Sequence, residues 1–408
     1  MKVKRTSGFS TIRELSLNGR VILMRVDFNV PMQDGMIEDE GRIQAVLPSL
    51  RYLLSKGARV FLLSHLGRPA GKTIPEHSLK PCAAALSRQL QCGVLFLVHW
   101  LYTAHPRELF AQHGVSLILL ENVRFHPEEE NMKEKNSPFV QNMARFGDLY
   151  VNDAFGCCHR AHGSIVPLAQ HFPQKCAAGF LLEKEVYYLD KLLYTPARPF
   201  YALIGGKKVS SKVGVLQKLA DKVDGLLIGG AMAYTFLHLA GRKIGSSLLD
   251  EKSLPIAREI LTLFERRNLP LILPTDALCA DQFEENATTR IIDFKRGEGI
   301  PSGWMGMDLG PQTIESFIEY LKQARTILWN GPLGVSEWSA FRRGTEAMTE
   351  FLAESSATTI VGGGDSLAAV RRRGLEEKMT HLSTGGGATL EYLEKGTLPG
   401  IEALVTQK

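Results

Sequence analysis

Short runs of consecutive apolar residues alternate along the whole chain with longer stretches in which apolar residues have helical spacing. In the first half the runs predict strands at residues 21–28, 59–64, 94–98, 116–120 and 149–152. In the second half they predict strands at residues 200–204, 226–228, 271–273, 326–329, 359–361 and 381–383. Between them, helical spacing predicts helices that include residues 45–54, 211–222, 231–239 and 314–323.

The predicted strands are continuously apolar and do not alternate, which is typical of strands buried on both faces. The β-α-β order indicates α/β domains, each a doubly wound parallel sheet with helices on both sides. We expect two such domains, because a helical pattern ends near residue 194 and two prolines, Pro196 and Pro199, interrupt the chain before the next strand. The predicted organisation is a first domain at residues 1–182, a connecting helix and hinge at 183–195, and a second domain at 196–395.

The composition of the 408-residue chain is that of an ordinary globular protein, with 44% hydrophobic and 22% charged residues. The net charge of +5 is small and scattered, so we expect no nucleic-acid partner but a small anionic substrate. No apolar run approaches the roughly 18 residues of a membrane span, and no signal peptide is evident, so we expect no membrane partner. The six cysteines show no CxxC spacing, which favours reduced thiols and a cytoplasmic location.

Polar and basic residues follow the predicted strands of the first half. Ligands of open α/β sheets bind beyond the carboxyl ends of the strands. The set near these ends contains four arginines and a histidine: Arg42, His65, Arg68, Arg124 and Arg160. Since guanidinium groups bind carboxylates and phosphates with paired hydrogen bonds, this set indicates a small substrate with several negative charges.

Glycine follows the predicted strands of the second half, in the segments 205–206, 229–230, 362–364 and 385–387. Glycines allow backbone amides to approach phosphate oxygens, and the helix N-termini that follow favour negative charge. Lys208 and Lys212 are four residues apart and are expected on one face of a starting helix, directed at the same anion. Asp365 is an acidic residue among these amides. A Mg²⁺ ion that bridges nucleotide phosphates would explain a carboxylate at this position.

Three other motifs are present only in part. Residues 67–73 resemble a P-loop but have three intervening residues where four are required. No G-x-G-x-x-G segment follows a strand, which gives no support to a dinucleotide-binding protein. His159 and His162 have no acidic or thiol partner at a zinc-binding spacing, and we interpret them as structural or substrate-orienting residues.

Six segments together resemble the phosphoglycerate kinase family, in the same order and without a long gap from about residue 10 to 405. They are RVDFNVP at 25–31, SHLGRP at 64–69, ENVRF at 121–125, VNDAFG at 151–156, WNGPLG at 329–334 and STGGGA at 383–388. The resemblance implies a kinase that transfers a phosphoryl group reversibly between 1,3-bisphosphoglycerate and ADP, giving 3-phosphoglycerate and ATP. It also implies two Rossmann-like domains, a tail, residues 396–408, that packs on the first domain, and a monomeric protein.

The resemblance assigns site residues position by position. The implied phosphoglycerate-binding residues are Asp27, Phe28, Asn29, Arg42, His65, Leu66, Gly67, Arg68, Arg124 and Arg160. The implied nucleotide-binding residues are Gly206, Lys208, Lys212, Gly230, Leu248, Gly306, Asn330, Pro332, Glu337, Gly363, Gly364, Asp365 and Ser366, with Asp365 as the Mg²⁺ ligand. The expected catalytic set is Arg42, Lys208, Lys212, Gly363 and Gly386, which would position the phosphoryl group and neutralise its charge after the domains close.

Four positions near the expected nucleoside differ from the family pattern: Lys207, Ser211, Ala231 and Met307. We expect altered nucleotide affinity or a looser base preference. The alternative is a catalytically weakened homologue that binds a partner, although Arg42, Lys208, Lys212 and Asp365 are all present. A second alternative is another kinase or synthetase acting on an acyl phosphate, of the acetate kinase type, but the motifs of that class are absent. Cys157 and Cys158 replace a small polar pair in the first domain.

Overall fold

A computed structural model describes residues 8–131, 134 and 136–405. The chain divides into two compact units. The first comprises the described residues from 8 to 187 and from 397 to 405, and the second comprises Tyr188–Gly396. Each unit has its own central sheet and its own apolar core.

The first unit contains a six-stranded sheet in the order β5-β6-β4-β1-β7-β8, in which every described pairing is parallel. The strands are β1 (Val21–Arg25), β2 (Met32–Gln33), β3 (Met36–Ile37), β4 (Arg59–Leu63), β5 (Val94–Leu97), β6 (Leu117–Leu120), β7 (Leu149–Asn152) and β8 (Cys176–Ala178); β2 and β3 form a separate antiparallel pair. The helices are α1 (Gly41–Ser55), α2 (Lys80–Leu90), α3 (Leu109–His113), α4 (Glu128–Asn131), α5 (Pro138–Ala144) and α6 (Val166–His171). Helix α7 (Phe180–Tyr194) begins in this unit and ends in the second.

The central strand β1 is buried at all five positions, as the apolar run of its first four residues predicts. It ends at Arg25, three residues earlier than predicted. Val26 N still bonds the carbonyl of Leu63, but Phe28 N bonds the Ser64 hydroxyl at 2.8 Å, so the chain leaves the ladder here. Residues 26–29 therefore form a loop at the carboxyl edge of the sheet, where a side chain can face a ligand.

The second unit contains a six-stranded parallel sheet in the order β11-β10-β9-β15-β16-β17. Its strands are β9 (Phe200–Ile204), β10 (Gly225–Ile228), β11 (Leu271–Ile272), β12 (Asp276–Ala280), β13 (Thr289–Asp293), β14 (Met305–Leu309), β15 (Thr326–Asn330), β16 (Thr358–Gly362) and β17 (His381–Ser383). Its helices are α8 (Val213–Leu219), α9 (Ala233–Leu239), α10 (Leu254–Arg266), α11 (Pro311–Lys322), α12 (Arg343–Glu354), α13 (Gly364–Arg372) and α14 (Gly387–Lys395).

The two parallel sheets confirm the predicted α/β fold class. The sequence reading missed β8 and a three-stranded antiparallel sheet in the order β13-β12-β14. Strand β14 reads Met-Gly-Met-Asp-Leu and β13 is mostly exposed, so neither shows the apolar run by which the other strands were recognised.

The tail after the second unit belongs to the first unit. Its short helix α15 (Pro399–Glu402) lies near α6, and Gly400 N donates to the carbonyl of Cys158 at 2.8 Å. Val405 forms a β-bridge with Phe9. Among the described residues, we find no helix with the length and apolarity that crossing a membrane requires.

Candidate functional site

In the first unit, a carboxylate and a guanidinium meet beyond the end of β1. Asp27 accepts from Arg42 Nη1 through Oδ2, and its other oxygen, Oδ1, accepts from Asn29 N at 3.1 Å. Burial opposes ionisation of Asp27, but the positive charges of Arg42 and Arg25 and the bond from Asn29 N outweigh it and lower the pKa to about 2. Asp27 is therefore ionised at neutral pH, and Arg42 at the start of α1 is held beside it.

His65, after the end of β4, lies among these charges. Its Nδ1 is 3.8 Å from Asp27 Oδ1 and 3.3 Å from Arg25 Nη2. Burial lowers the pKa of His65 well below its usual value, and three neighbouring arginines lower it further. The imidazole is therefore neutral. Because the guanidinium of Arg25 can only donate, Nδ1 carries the lone pair and the ring proton is on Nε2.

Arg25 is a buried residue of this region that the sequence reading did not select. Its Nε donates to Ser164 Oγ at 2.7 Å, and its Nη1 donates to the carbonyl of Val26. Ser164 in turn donates from N and Oγ to the buried Glu129 at 2.8 and 2.6 Å. The sequence does contain a signal for Arg25, because this arginine ends the apolar run 21–24. A charge in a buried strand needs a partner.

The loop after β4 is fixed by Asn29 and Arg124. Gly67 N donates to Asn29 Oδ1 at 2.9 Å, and Arg124 Nη1 donates to the carbonyl of Gly67 at 2.8 Å. Arg124 also forms an ion pair with Glu130, with Nε 3.1 Å from the carboxylate. Gly67 has φ +65°, and a Cβ there would lie 2.5 Å from the ring of His77, so this tight turn requires glycine.

The remaining predicted residues of this half-site differ in exposure. Phe28 and Leu66 are buried and support the loops, whereas Asn29 and Arg68 are exposed. Arg160 is half-buried and donates from Nε to His159 Nε2 at 3.0 Å. The first unit thus brings Asp27, Arg42, His65 and Arg124 into one charged group, with Asn29 and Gly67 fixed beside it.

In the second unit, a cavity of about 570 Å³ lies at the carboxyl edge of the sheet. Seven of the thirteen predicted nucleotide-binding residues line it: Gly206, Gly230, Leu248, Gly306, Pro332, Glu337 and Asp365. The missed strand β14 supplies part of the wall through Met305, Gly306 and Met307. Lys207 and Ala231, two departures from the family pattern, line the same cavity.

The glycine-rich segments fall into two groups. Gly205, Gly230 and Gly331 pack backbone against backbone: a Cβ at Gly205 would lie 2.1 Å from the carbonyl oxygen of Pro332, and one at Gly331 would lie 2.4 Å from that of Gly205. Around Gly364 and Gly386, in contrast, nothing lies within 4 Å of an added Cβ. Only the second group leaves open space above its backbone. Gly386 still needs glycine for its φ of +53°, whereas neither packing nor backbone conformation requires glycine at Gly364.

Lys212 connects these loops. Its Nζ donates to Asn330 Oδ1 at 2.7 Å, and Ser366 Oγ accepts from Gly331 N at 2.9 Å. Burial lowers the pKa of Lys212 to about 8, an effect that the charge of Asp365 partly opposes. The pKa of Asp365 is raised by burial and by Glu337, with Lys212 acting in the opposite direction. These side chains therefore share one electrostatic environment at the N-terminus of α13.

The expectation that Lys208 and Lys212 lie on one face of a helix is wrong. Both have φ −132°, and only a single 3-10 turn, Val209–Ser211, separates them. Helix α8 begins at Val213, after Lys212. The turn is held by Asp250, whose carboxylate accepts from Ser210 N and Oγ at 3.2 and 3.0 Å. Lys208 is exposed and interacts electrostatically with Asp250.

Comparison with known proteins decides the family. The family model for phosphoglycerate kinase matches residues 12–396. A phosphoglycerate kinase from Rubrobacter xylanophilus is 48% identical over 398 residues, which is 97% of each chain. The chain belongs to the phosphoglycerate kinase family. It is therefore an enzyme, a kinase and transferase of glycolysis, and no observation favours the catalytically weakened alternative.

Other members of the phosphoglycerate kinase family are similar over the same length. The curated protein from Pseudothermotoga lettingae is 45% identical over 399 residues, covering 98% of this chain and 99% of its own. Among solved structures, phosphoglycerate kinase from Coxiella burnetii has a TM-score of 0.83 at 39% identity, with 97% and 98% of the two chains covered. The enzyme from Pyrococcus horikoshii has a TM-score of 0.84 at 29% identity, with the same coverage.

Proposed function

We propose that the chain catalyses reversible phosphoryl transfer between 1,3-bisphosphoglycerate and ADP, with the first unit binding the phosphoglycerate and the second unit binding the magnesium nucleotide. The observation that carries the proposal is the pairing of two chemically different half-sites in one phosphoglycerate kinase sequence. One is a charged group around Arg42 and His65, and the other is a cavity with an open glycine-rich edge.

Arginine provides the binding energy in the first half-site. Arg42, Arg68, Arg124 and Arg160 match the carboxylate and phosphate groups of the substrate, because guanidinium groups bind both with paired hydrogen bonds. Asp27, ionised, accepts from the substrate hydroxyl. His65 is neutral and, with its proton on Nε2, donates to a substrate oxygen. When that oxygen is the same hydroxyl, which then donates to Asp27 and accepts from His65, its orientation is fixed.

In the second half-site, the cavity wall of Leu248, Met307 and Ala231 contacts the base, and Glu337 accepts from the ribose hydroxyls. The backbone amides at Gly363 and Gly364, at the N-terminus of α13, bind the phosphates. Asn330, Pro332 and Ser366 shape the loops on which these amides lie, since Asn330 orients Lys212 and Ser366 bonds Gly331.

Mg²⁺ fits the donor set of this half-site. Asp365 is an exposed carboxylate whose pKa is raised first by partial desolvation and then by the negative charge of Glu337, and a cation would neutralise that charge. Mg²⁺ prefers oxygen ligands and commonly combines one or two carboxylates with substrate phosphates. When bound, the ion neutralises charge on the nucleotide phosphates. Asp365 is the residue that would hold it.

The transfer itself needs no general base, because the acceptor of the reverse reaction is a carboxylate that is already ionised at neutral pH. What the protein supplies is alignment and positive charge around the migrating phosphoryl group. Arg42 from the first unit and Lys208 and Lys212 from the second provide the charge, and amides at Gly363 and Gly386 add hydrogen bonds. Because these groups come from both units, the proposal includes domain closure, which keeps water from the acyl phosphate.

The proposal also includes a monomeric enzyme in the cytoplasm. The free state of all six cysteines supports a reducing compartment. A sedimentation measurement of molecular mass tests the monomer, and a single species of twice the chain mass would contradict it.

A coupled assay tests the proposed function directly. Purified protein is given 3-phosphoglycerate and Mg-ATP, and ADP formation is measured. We expect robust turnover by the unaltered chain and a loss of at least about 100-fold in kcat for Lys212→Ala. The exposed Lys252→Ala serves as the matched control and should behave like the unaltered chain. Absence of turnover with 3-phosphoglycerate in the unaltered chain would contradict the proposal.

A further inference from the structure

One group of three metal-ligating side chains stands out among the described residues: Asp27, His65 and Cys157. Cys157 Sγ lies 3.8 Å from His65 Nδ1, and that nitrogen lies 3.8 Å from Asp27 Oδ1. All three ligand atoms lie within 4.8 Å of one another. The residues come from the ends of three neighbouring strands, β1, β4 and β7, so the sheet itself brings them together.

The atoms that face one another have lone pairs available. Arg42 takes Asp27 Oδ2, which leaves Oδ1 towards the group. His65 Nδ1 already accepts from Arg25, so it carries no proton. Arg25 keeps its bonds to Ser164 and to the carbonyl of Val26 if an ion takes its place at Nδ1. Only the Nη2 end of Arg25, 3.3 Å from Nδ1, has to move away for the three atoms to reach a common ligand.

The separations are close to those of a tetrahedral zinc site. Zn²⁺ bonds of roughly 2.0 to 2.3 Å to nitrogen, oxygen and sulfur place neighbouring ligand atoms about 3.3 to 3.7 Å apart. Two of the three separations are 3.8 Å, within a few tenths of an ångström of that range, and the third is at most 4.8 Å, so the three side chains must draw together to complete the site. The three residues are buried, with 8%, 5% and 6% of their surface exposed.

We propose that Asp27, His65 and Cys157 form an inhibitory site for a thiophilic divalent cation of the Zn²⁺ type. Binding replaces the proton on Cys157 Sγ by a metal–sulfur bond, and the proton leaves to solvent. The site is chemically distinct from the proposed Mg²⁺ position at Asp365. Thiolate and imidazole favour Zn²⁺ and Cd²⁺ and disfavour Mg²⁺ and Ca²⁺.

The surrounding arginines set the strength and the selectivity of this site. Arg25 and Arg42 both interact with Asp27 and Cys157, and their positive charge opposes a dication. Only an ion whose bond to sulfur outweighs that repulsion will bind, so hard cations are excluded. Binding should accordingly be weaker than at a structural zinc site, in which no arginines oppose the metal.

Inhibition follows from the position of the site, and this step rests on the proposed function. Asp27 and His65 are the residues that orient the substrate hydroxyl in that proposal. An ion on Oδ1 takes the carboxylate that would accept from the substrate hydroxyl, so the cation and 3-phosphoglycerate compete, while His65 keeps its proton on Nε2. Cys157 makes none of the proposed substrate contacts, so its substitution should abolish the inhibition without removing the activity.

The test measures binding without any substrate. Cd²⁺ is titrated into the unaltered protein, and the ultraviolet thiolate-to-metal charge-transfer absorption is followed. We expect one equivalent of Cd²⁺ to give the signal. Cys157→Ser should weaken binding by at least about tenfold, whereas Cys158→Ser should not change it. Cys158 is the matched control, because it is the adjacent buried thiol but bonds Asn152 and Ala154 instead.

Two further measurements complete the test. Mg²⁺ at the same concentration should not displace Cd²⁺, and 3-phosphoglycerate should weaken Cd²⁺ binding. Zn²⁺ should inhibit the unaltered enzyme at least about tenfold more strongly than Cys157→Ser, competitively with 3-phosphoglycerate.

Cys157→Ala checks the result if the serine variant folds poorly by circular dichroism. Equal Cd²⁺ signals in the unaltered and Cys157 variants would overturn the site. Normal Cd²⁺ binding in a protein without kinase activity would instead contradict only the proposed function.

Discussion

The ammonium group of Lys212 donates to the side-chain oxygen of Asn330 at 2.7 Å, and this bond joins the loop after β9 to the end of β15. Asn330 thereby fixes a lysine that is largely removed from water. Desolvation is the main reason that the pKa of Lys212 falls to about 8. A positive charge is thus held beside Asn330 but is only weakly favoured in the free enzyme.

The first prediction is an alkaline loss of activity due to Lys212. Below about pH 8 the lysine is protonated and attracts the phosphates, and above it the neutral amine does not, so kcat/KM for the nucleotide should fall as the pH rises through about 8. Bound phosphate favours the charged form, so kcat should fall only at higher pH. Steady-state kinetics from neutral to alkaline pH measure both profiles.

Lys212→Arg is the control for this assignment, because a guanidinium stays charged throughout that range. Its kcat/KM should lose the decline near pH 8 even if the overall rate is lower. An unchanged decline in Lys212→Arg would mean that another group titrates, and the prediction would then be wrong.

The second prediction concerns Arg42, which is held at the start of α1 by Asp27. Arg42→Ala should lower kcat by about 100- to 1,000-fold, because it removes a positive charge that is used in the transition state. It should change nucleotide binding little, since Arg42 belongs to the first unit and the cavity to the second. Kinetics with both substrates and calorimetric nucleotide binding separate these effects.

Arg51→Ala is the matched control for Arg42. Arg51 lies on the same helix, but it is exposed and donates to the carbonyl of Gln89, away from the charged group. We expect its kcat to match that of the unaltered enzyme. Near-normal kcat in Arg42→Ala would exclude Arg42 from the transition state.

The third prediction concerns Lys207, which lines the nucleotide cavity and is exposed. A long cation in place of the alanine of the family pattern should make the base pocket less selective. We expect kcat/KM for GDP within about tenfold of that for ADP, a difference of roughly 1.4 kcal/mol. Lys207→Ala should lower the GDP rate relative to the ADP rate, whereas the exposed Lys252→Ala should leave the ratio unchanged. Strong rejection of GDP by the unaltered enzyme would dismiss this idea.

Much of the architecture and of the site could be predicted because two signals were strong. Strands buried on both faces, such as 200–204, stand out as apolar runs, and the order of the chain then locates their carboxyl ends. Strand β14 carries no such run, although Met305 and Met307 form part of the cavity wall. Its position depends on antiparallel pairing with β12, a long-range contact that local sequence does not encode.

Side-chain geometry was less predictable than position. Spacing placed Lys208 and Lys212 on one helix face, but the structure has a 3-10 turn there, anchored by Asp250 from a distant loop. Similarly, nothing near Cys157 in the sequence indicates contact with His65, which lies 92 residues earlier. Such contacts arise only after the sheet forms, when strands far apart in sequence become neighbours.

The last prediction separates the two groups of glycines. Gly230 has φ +66°, and an added Cβ would lie 2.6 Å from Gly206 N and 2.7 Å from the carbonyl oxygen of Pro332. Because those are backbone atoms, the loops must move apart, and the left-handed backbone adds strain. Gly230→Ala should therefore lower the free energy of unfolding by at least about 2 kcal/mol, measured by urea denaturation.

Gly364→Ala is the matched substitution, because Gly364 begins α13 without a positive φ and has open space around an added Cβ. Alanine favours the helix, so the free energy of unfolding should be unchanged or rise by up to about 1 kcal/mol. The methyl group would, however, occupy the space proposed for nucleotide phosphate, so KM for the nucleotide should rise at least about tenfold. A destabilised Gly364→Ala with normal KM would assign this glycine to the fold. The reverse result for Gly230→Ala, full stability with weakened nucleotide binding, would mean that the backbone packing of these loops is not what demands glycine there.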